Sequence, residues 1–491
     1  MITVVTESKA APRVGRDVWP IAVVVIAGSI LSILDVTIVN VALETLSHDL
    51  ASSIGSVQWV ATGYMLAIAA VIPVSGWAAR RIGTKQLYLV SLVLFTLGSV
   101  LCGFAWSIDS LIVFRVLQGL GGGMLMPTGM MILARAAGPH RVGSVLSVIG
   151  VPMVLAPVFG PVIGGLLVEN FGWRWIFFVN VPVGIVAVLL ALRLLPSARA
   201  EKAGPLDWIG VALLSSGLPA LTYGLAEAGS GGGFASGQAL VPIAAGLGLT
   251  AAFVLHALRA ARPLLDVRLY GNRAFAASSA TTFFLGASLF GAMILMPLYF
   301  QVVRGDSVVR TGLLLIPQGL GAAVTLPIAG RLADRIGGGP LALTGAVVTT
   351  LSTIPLALLT AGTPAWHIEA ALFARGMGVG MAMIPAMSAA YAVLRPEQIA
   401  DATPQLTVVQ RVGGSIGTAV LAVALDHSLR HAAGPAATAA AFRHAFWWAF
   451  AISLVAVAPA IVLLRAERRA LRERATPGAA GRAAGIAREA A

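Results

Sequence analysis

The chain has little charge and almost no cysteine, and both shortages narrow what it can be. Charged residues make up 11% of its 491 residues, against roughly 25% in soluble domains, while hydrophobic residues make up 58% and the mean hydropathy is +0.90. These values exclude a water-soluble globule. The one cysteine, Cys102, excludes a disulfide framework and a cysteine-cluster metal site, and we expect neither a metal nor a cofactor.

Lysine is also scarce, since only Lys9, Lys85 and Lys202 occur among 33 basic residues. The net charge of +13 would favour a nucleic-acid partner only if the basic residues clustered on one face or in one tail. They recur instead in short connectors between apolar runs, which is how membrane proteins fix their orientation. We therefore expect the chain to lie in a lipid bilayer and to bind no nucleic acid.

Long apolar runs are abundant. A helix that crosses a bilayer needs about 20 mainly apolar residues, and runs of this kind, bounded by charge, Pro or Gly, occur fourteen times along the chain. The sequence therefore predicts an all-α integral membrane protein with fourteen transmembrane helices, at residues 18–42, 57–79, 85–106, 109–134, 142–168, 173–195, 206–225, 239–258, 274–300, 311–332, 338–361, 367–392, 402–426 and 443–464.

The basic residues also predict the orientation. If the N-terminus lies in the cytoplasm, the inner segments hold most of the Lys and Arg, and the outer connectors hold only Arg174, Arg304, Arg310, Arg430 and Arg443. Positive charge in the inner connectors is the usual rule for membrane proteins. We expect both termini to be cytoplasmic, with residues 1–17 as the N-terminal segment and 465–491 as the tail.

An internal repeat divides the chain. Residues 73–83 (PVSGWAARRIG) and 327–337 (PIAGRLADRIG) share Pro, Gly, Ala, Arg, Ile and Gly at a constant offset. Two homologous halves are a common construction of secondary transporters, with the substrate site between them near the middle of the membrane. The sequence thus predicts an N-terminal six-helix bundle at 18–195, two inserted helices at 206–258 and a C-terminal six-helix bundle at 274–464, the two bundles being pseudo-symmetric.

Five motifs occur in the order expected of one family. The sequence resembles the major facilitator superfamily, in its fourteen-helix drug:proton antiporter branch, in the first-helix motif, the loop after helix two, the proton motif of helix four, the antiporter motif of helix five and the start of helix six. These are Leu34–Leu43, Gly76–Lys85, Arg115–Gly119, Gly160–Gly165 with Pro161 and Gly164, and Trp173–Pro182.

The resemblance implies roles for these residues. It links Arg115 to proton transfer, it makes Gly160, Pro161, Gly164 and Gly165 a pliable hinge or seal, and it makes the loop after helix two, with its copy in the second half, a conformational latch. The loop departs from the family pattern, because Arg80 stands where Asp is usual, whereas Asp334 restores the acid in the second copy. The latch residues are Gly76, Arg80, Arg81, Gly83, Lys85, Gly330, Asp334, Arg335 and Gly337.

Each of these roles has a structural alternative. Small residues four apart let helix backbones approach closely, so Gly160 and Gly164 fit plain helix packing equally well. The basic residues of the loop also fit ordinary membrane topology.

Asp35 is the one acid well inside a predicted span. A carboxylate at that depth is costly and marks a functional site by default. Asp35 and Arg115 both lie about 10 Å from the outer ends of their spans at 1.5 Å per residue, so we expect them to meet in one layer and to carry proton coupling. The alternative is a static buried ion pair that fixes helix packing.

Other polar and aromatic residues inside the spans are candidates for the substrate cavity. Intramembrane arginines without an acid in their own span either line a cavity or bond to backbone carbonyls, and aromatic side chains on the second span could stack on a flat ligand. The candidates are Asn40, Trp59, Tyr64, Gln118, Arg375 and Arg411.

These features predict a transporter and not an enzyme. No P-loop occurs, so we expect the proton gradient to drive export of small amphipathic or cationic drugs by alternating access. The resemblance implies a bacterial inner membrane, protons and a small molecule as partners, and no segment indicates accessory efflux proteins. A narrow proton-coupled metabolite transporter on the same fold is the main alternative, and a membrane-embedded enzyme or sensor is the other.

Overall fold

The computed structural model describes residues 18–138, 141–196, 203–360, 362–430, 432 and 434–475. Within these ranges the chain forms helices and no β-strand. The long helices, numbered here in chain order, are α1 Val18–Val41, α2 Gly55–Ile82, α3 Thr84–Gly103, α4 Ile108–Ala137, α5 Val142–Phe171, α6 Trp175–Leu194, α7 Trp208–Ser230, α8 Gly237–Arg259, α9 Arg273–Val303, α10 Val309–Ile336, α11 Gly338–Ala357, α12 Ala365–Ala392, α13 Pro396–Leu429 and α14 Ala436–Arg469.

Thirteen of these helices are long and apolar enough to cross a membrane. The remaining one, α5, is a continuous 30-residue helix, but many of its side chains lie outside the described ones. The all-helical membrane fold is therefore confirmed, and the count of fourteen spans stays a prediction. Of the predicted terminal segments, 1–17 and 476–491 lie outside the described residues.

Several helices begin just after a serine whose side chain caps the first turn. Ser53, Ser107, Ser236 and Ser307 each accept a hydrogen bond from the backbone N–H three residues later, which satisfies one of the free donors of a first helical turn. The helices run beyond the predicted apolar cores at several ends, because such polar turns continue the helix past the hydrocarbon region.

The helix pairs repeat along the chain. In α1–α6, called here the first half, α1 packs on α5, α2 on α4 and α3 on α4. In α9–α14, called the second half, the same pairs recur eight helices later, as α9 with α13, α10 with α12 and α11 with α12. Two glycines of the sequence repeat, Gly83 and Gly337, also have the same backbone conformation. Both have φ near +90°, which glycine adopts readily.

The two halves meet mainly near one end of the helices. We call the side on which α1 begins the terminal side, and the other the opposite side. The largest buried cluster joins residues of both halves on the terminal side, among them Leu146 of the first half with Tyr391 and Ala400 of the second. On the opposite side, the buried clusters contain residues of one half each.

The two inserted helices pack on each other and lie beside both halves. Helix α7 packs on α2 and α13, and one buried cluster contains Leu214 of α7 and Phe253 of α8, with Ala69 of α2 and Val412 of α13 packed against it. The Ser215 hydroxyl donates to the Ala70 carbonyl of α2 at 2.6 Å. Helix α7 therefore covers the seam between α2 and α13.

Asp207 ties the terminal-side ends of the two inserted helices together. Its carboxylate accepts from Gly210 N at 2.9 Å, from Leu264 N at 3.0 Å and from His256 Nε2 at 2.9 Å. Burial alone would raise the pKa of Asp207, but these hydrogen bonds outweigh it and hold that pKa below its ordinary value.

Candidate functional site

Asp35 and Arg115 form a buried ion pair in the first half. Their side chains come from α1 and α4, and Arg115 Nη1 donates to Asp35 Oδ2 at 2.6 Å. The side chains are 0% and 1% exposed. The structure thus brings together the two residues that were expected to share one layer.

Three further polar side chains complete the shell around Asp35. Its Oδ1 accepts from Gln118 Nε2 at 3.0 Å and from Asn180 Nδ2 at 3.2 Å. The Ser99 hydroxyl accepts from both of these amides, at 3.1 and 3.0 Å, and donates to the Phe177 carbonyl at 3.0 Å. Helices α1, α3, α4 and α6 therefore converge on one carboxylate.

Helix α2 closes this cluster from a further side. Arg115 Nε donates to the Val60 carbonyl at 3.1 Å, and the Arg115 guanidinium carbon lies 3.9 Å from the centroid of the fully buried Tyr64 ring. A cation over an aromatic face is stabilised by the ring quadrupole. We call Asp35, Tyr64, Ser99, Arg115, Gln118 and Asn180 the Asp35 cluster.

The sequence did not identify Asn180 and Ser99 as site residues. Asn180 lies within the helix-six motif, so it was visible as a polar residue in an apolar run. Ser99 carries no such signal, because a serine inside a membrane helix commonly bonds to its own backbone.

Arg115 has hydrogen-bond acceptors besides Asp35. Arg115 Nη1 also donates to Gln118 Oε1 at 2.7 Å, so the guanidinium keeps acceptors in Gln118 and the Val60 carbonyl if Asp35 takes up a proton.

Arg375 occupies the corresponding place in the second half but has no acid beside it. It is 1% exposed, and its Nη2 donates to the Ser288 carbonyl at 2.7 Å and to the Ser288 hydroxyl at 3.2 Å. Of the two readings of Arg375, the structure shows the bonds to backbone and hydroxyl. Among the described residues, a carboxylate therefore pairs with this intramembrane arginine in the first half and not in the second.

The other cavity candidates are dispersed. Asn40 is exposed and Trp59 is 42% exposed, and neither reaches the Asp35 cluster. The Trp59 ring stacks on Tyr223 of α7, with centroids 5.8 Å apart. Arg411, on α13, is partly buried and interacts electrostatically with Tyr64.

The repeated loops bring the two halves together on the terminal side. Arg80, at the end of α2, pairs with Asp401 at the start of α13, and a Cβ on Gly76 would collide with the Ala400 carbonyl. Arg80 stands where the family usually has Asp, but the position still makes a charged contact between the halves. The acid of this contact, Asp401, lies on α13.

The second loop makes the matching contact, also on the terminal side. The Asp334 carboxylate accepts from Gly143 N at 2.8 Å and from Ser144 N at 2.9 Å, at the start of α5. A carboxylate at a helix N-terminus is stabilised by the free N–H groups and the helix dipole. Gly330 packs against the Gly143 carbonyl, so both loops bind a helix of the opposite half.

The remaining loop residues lie beside these contacts. Lys85 Nζ donates to the Leu192 and Leu195 carbonyls at 2.8 and 2.7 Å and ties α3 to the end of α6. Arg81 and Arg335 are exposed, and Gly83 and Gly337 form the turns.

The antiporter-motif glycines lie against α1. A Cβ on Gly160 would collide with Thr37, a Cβ on Gly164 would press on Ile38, and Gly165 has free space. Pro161 is in the helix, and its side chain is outside the described ones. Gly160 therefore allows the close approach of α5 to α1 two residues from Asp35.

No group of three His, Cys, Asp or Glu side chains that could hold a metal occurs in the described part of the chain.

Comparisons with known proteins agree with this fold. Residues 25–418 match the family model described as Major Facilitator Superfamily. The chain is 43% identical over 428 residues to the "Multidrug resistance protein B homolog" of Mycobacterium tuberculosis (strain ATCC 25618 / H37Rv), covering 85% of this chain and 79% of that protein.

Two further relatives carry more specific names. The chain is 32% identical to the "Tetracenomycin C resistance and export protein" of Streptomyces glaucescens, over 86% of this chain and 78% of that protein. It is 31% identical to the "Multidrug export protein EmrB" of Haemophilus influenzae, over 79% and 77%.

Solved structures share the fold at low identity. The proton:xylose symporter XylE aligns with a TM-score of 0.63 at 14% identity, over 91% of this chain and 95% of that chain. The human organic anion transporter MFSD10 aligns with a TM-score of 0.61 at 16% identity, over 91% and 99%.

Proposed function

Because the chain belongs to the major facilitator superfamily, and is thus a multi-pass membrane transporter and not an enzyme, we propose that it exports small amphipathic or cationic drugs in exchange for protons. The relatives named for multidrug resistance and drug export support this substrate class. They are bacterial, which supports a place in the bacterial inner membrane, with both termini in the cytoplasm as the basic connectors predict.

The observation that carries the proposal is the Asp35 cluster. One fully buried carboxylate of α1 is held by an arginine and two amides from two other helices, α4 and α6, at a depth where a charge is costly and marks a functional site by default. Uptake of a proton by Asp35 removes its attraction for Arg115, so the proton changes the contacts between α1 and α4. Substrate export is then linked to proton entry through the packing of the first half.

Alternating access requires the two halves to separate on one side at a time. We propose fourteen spans, arranged as two six-helix bundles and two inserted helices, with the terminal side closed in this structure. The charged contacts of Arg80 with Asp401 and of Asp334 with the start of α5 support this, since both join opposite halves on that side. We propose that they are the latches of the closed terminal side.

The proposal is tested in inside-out vesicles that contain the native chain or the variant Asp35→Asn. We expect a pH gradient to drive uptake of several unrelated drugs by the native chain, with measurable consumption of the gradient, and we expect Asp35→Asn to abolish gradient-driven uptake. The variant keeps the shape and the acceptor oxygen of the side chain but removes the titratable proton.

Asp49→Asn is the matched control, because Asp49 is an exposed acid outside the long helices. Its uptake should equal that of the native chain. Gradient-driven uptake that persists in Asp35→Asn would remove Asp35 from the coupling role. A native chain that responds to a metabolite and to no drug would favour the narrow metabolite transporter.

A further inference from the structure

Arg411 differs from the other two arginines inside the spans. Arg115 has a carboxylate partner and Arg375 bonds to Ser288, and each is 1% exposed. Arg411 keeps part of its surface accessible. Among the residues that the structure describes, no carboxylate pairs with it, and its one electrostatic partner is the Tyr64 hydroxyl of the first half.

The position of Arg411 places this charge where a substrate would lie. It is 15 residues from the start of α13, or about 22 Å along the helix at 1.5 Å per residue, near the middle of the span. Since Tyr64 belongs to the first half and Arg411 to the second, the guanidinium faces the boundary between the halves, where transporters of this construction bind their substrate.

The charge of the central region is therefore positive. Asp35 is fully enclosed and neutralised by Arg115, so it offers no charge to a substrate in this conformation. A guanidinium in a low-dielectric site is strongly stabilised by an oxyanion, which it binds with two parallel hydrogen bonds. A partly accessible arginine that pairs with no carboxylate is thus suited to bind the acidic group of a substrate.

We propose that Arg411 recognises the carboxylate or other acidic group of amphipathic organic anions, and that such acids belong to the exported compounds alongside neutral and cationic ones. This inference rests on the proposed function and names a further class of substrate for it. The apolar body of the acid lies between the halves, and its charged group lies near Tyr64, whose ring is in contact with Arg115 of the Asp35 cluster.

The charge balance gives this substrate class a distinct electrical behaviour. When one proton enters and one monovalent anion leaves, the inside becomes more positive by two unit charges. When one proton enters and one monovalent cation leaves, no net charge moves. Export of an acid is therefore driven by the membrane potential as well as by the pH gradient, whereas exchange of a cation with one proton is not.

The test compares a fluorescent aromatic carboxylate with its uncharged methyl ester in vesicles that contain the native chain, Arg411→Gln or Arg411→Lys. We expect the native chain to transport both compounds and an imposed membrane potential to stimulate the acid more than the ester, because exchange for one proton moves two unit charges with the acid and one with the ester. Arg411→Gln should lower transport of the acid at least tenfold and leave transport of the ester within twofold. Arg411→Lys, which keeps the charge, should retain most of the transport of the acid.

Arg310→Gln is the control for removal of a positive charge, since Arg310 is exposed at the start of α10 and pairs with Asp306. It should transport both compounds as the native chain does. Equal losses of acid and ester in Arg411→Gln, in protein that elutes as a folded species, would overturn the inference, as would an acid that the native chain does not carry although it carries the ester. A native chain that carries neither the ester nor any drug would instead contradict the proposed function.

Discussion

At the scale of single residues, the Asp35 cluster shows how a charge is kept inside a membrane. Each oxygen of Asp35 has a donor, and the donors are themselves held by further groups, since Asn180 and Gln118 both bond to Ser99. Such a network rigidifies the site when it is complete and is costly when one member is removed. The amides should therefore matter almost as much as the ion pair.

Asn180→Ala tests this expectation. It removes one donor from Asp35 Oδ1 and one from Ser99, and loss of a hydrogen bond to a buried charged group costs about 1.5–3 kcal/mol. We expect a lower midpoint of thermal unfolding in detergent and a several-fold loss of proton-driven uptake. The measurements are scanning fluorimetry of the purified protein and uptake in vesicles.

Asn170→Ala is the control for this variant. Asn170 also lies in a helix, but it is exposed and its amide bonds to the Leu166 carbonyl of its own helix. Its removal should change neither measurement. If Asn180→Ala unfolds and transports like Asn170→Ala, the amide contributes nothing to the site.

The sequence located this site only in part, for a physical reason. Depth along a helix follows from residue counting, so Asp35 and Arg115 could be placed in one layer before the structure was known. Which further side chains face that layer depends on the rotation of each helix about its axis, and the uniformly apolar spans carry little periodicity to set it. Ser99 and Asn180 were missed for this reason, and the assignment of Asn40 and Trp59 to the substrate cavity stays a prediction.

At the scale of helices, the inserted pair α7 and α8 is attached differently to the two halves. On the side of α2, Ser215 donates to the Ala70 carbonyl and Trp77 Nε1 donates to the Gly204 carbonyl at 3.1 Å. On the side of α13, Leu221 and Leu225 pack against Ala419, and Gln405 Nε2 donates to the Asp266 carbonyl of the connector after α8 at 3.1 Å. Hydrogen bonds of α7 itself are thus described to α2, whereas α13 meets α7 through apolar packing.

The contact of Ser215 lies at a weak point of α2. Pro73 has no N–H, and the helix tightens to a 3₁₀ turn at Ile72–Val74. The Ala70 carbonyl lies just before this turn and accepts from Ser215 of α7. The inserted pair thus supplies a hydrogen bond where α2 has lost regular ones, which is a common way to stabilise a proline kink in a membrane helix.

Ser215→Ala should therefore destabilise the protein by about 0.5–1 kcal/mol, the usual value of a hydrogen bond between membrane helices. The measurement is the shift in the unfolding midpoint, compared with Ser216→Ala. Ser216 is the next residue, is exposed and donates to the Ala212 carbonyl of its own helix, so its loss should have a smaller effect. Equal shifts would show that Ser215 does not hold α7 to α2.

At the scale of the whole molecule, the two halves are alike in fold and unlike in charge. The loops of the repeat both bind a helix start in the opposite half, yet Asp334 does so as an acid on backbone N–H groups and Arg80 does so as a base on Asp401. The repeat in the sequence predicted the two loops. It could not predict that Asp401 compensates the change at Arg80, because the two residues are far apart in the chain and meet only through the packing of the halves.

Exchange of the charges at this contact tests whether it is a latch. Arg80→Asp places two acids together on the terminal side, and since the pair is only partly exposed, we expect a cost of about 1 kcal/mol to the closed state. That cost is roughly a fivefold change in its population. The double variant Arg80→Asp with Asp401→Arg should recover most of the drug transport that the single variant loses.

A double-mutant cycle separates this pair from effects of each residue alone. The readouts are drug uptake and the rate at which a thiol reagent labels a cysteine introduced at Ser147, which packs against Gly330 where the halves meet. The chain suits such labelling because its own Cys102 is buried. Labelling should be faster in Arg80→Asp and return towards the native rate in the double variant. Faster labelling in both, with no recovery of uptake, would show that the contact between Arg80 and Asp401 does not hold the terminal side closed.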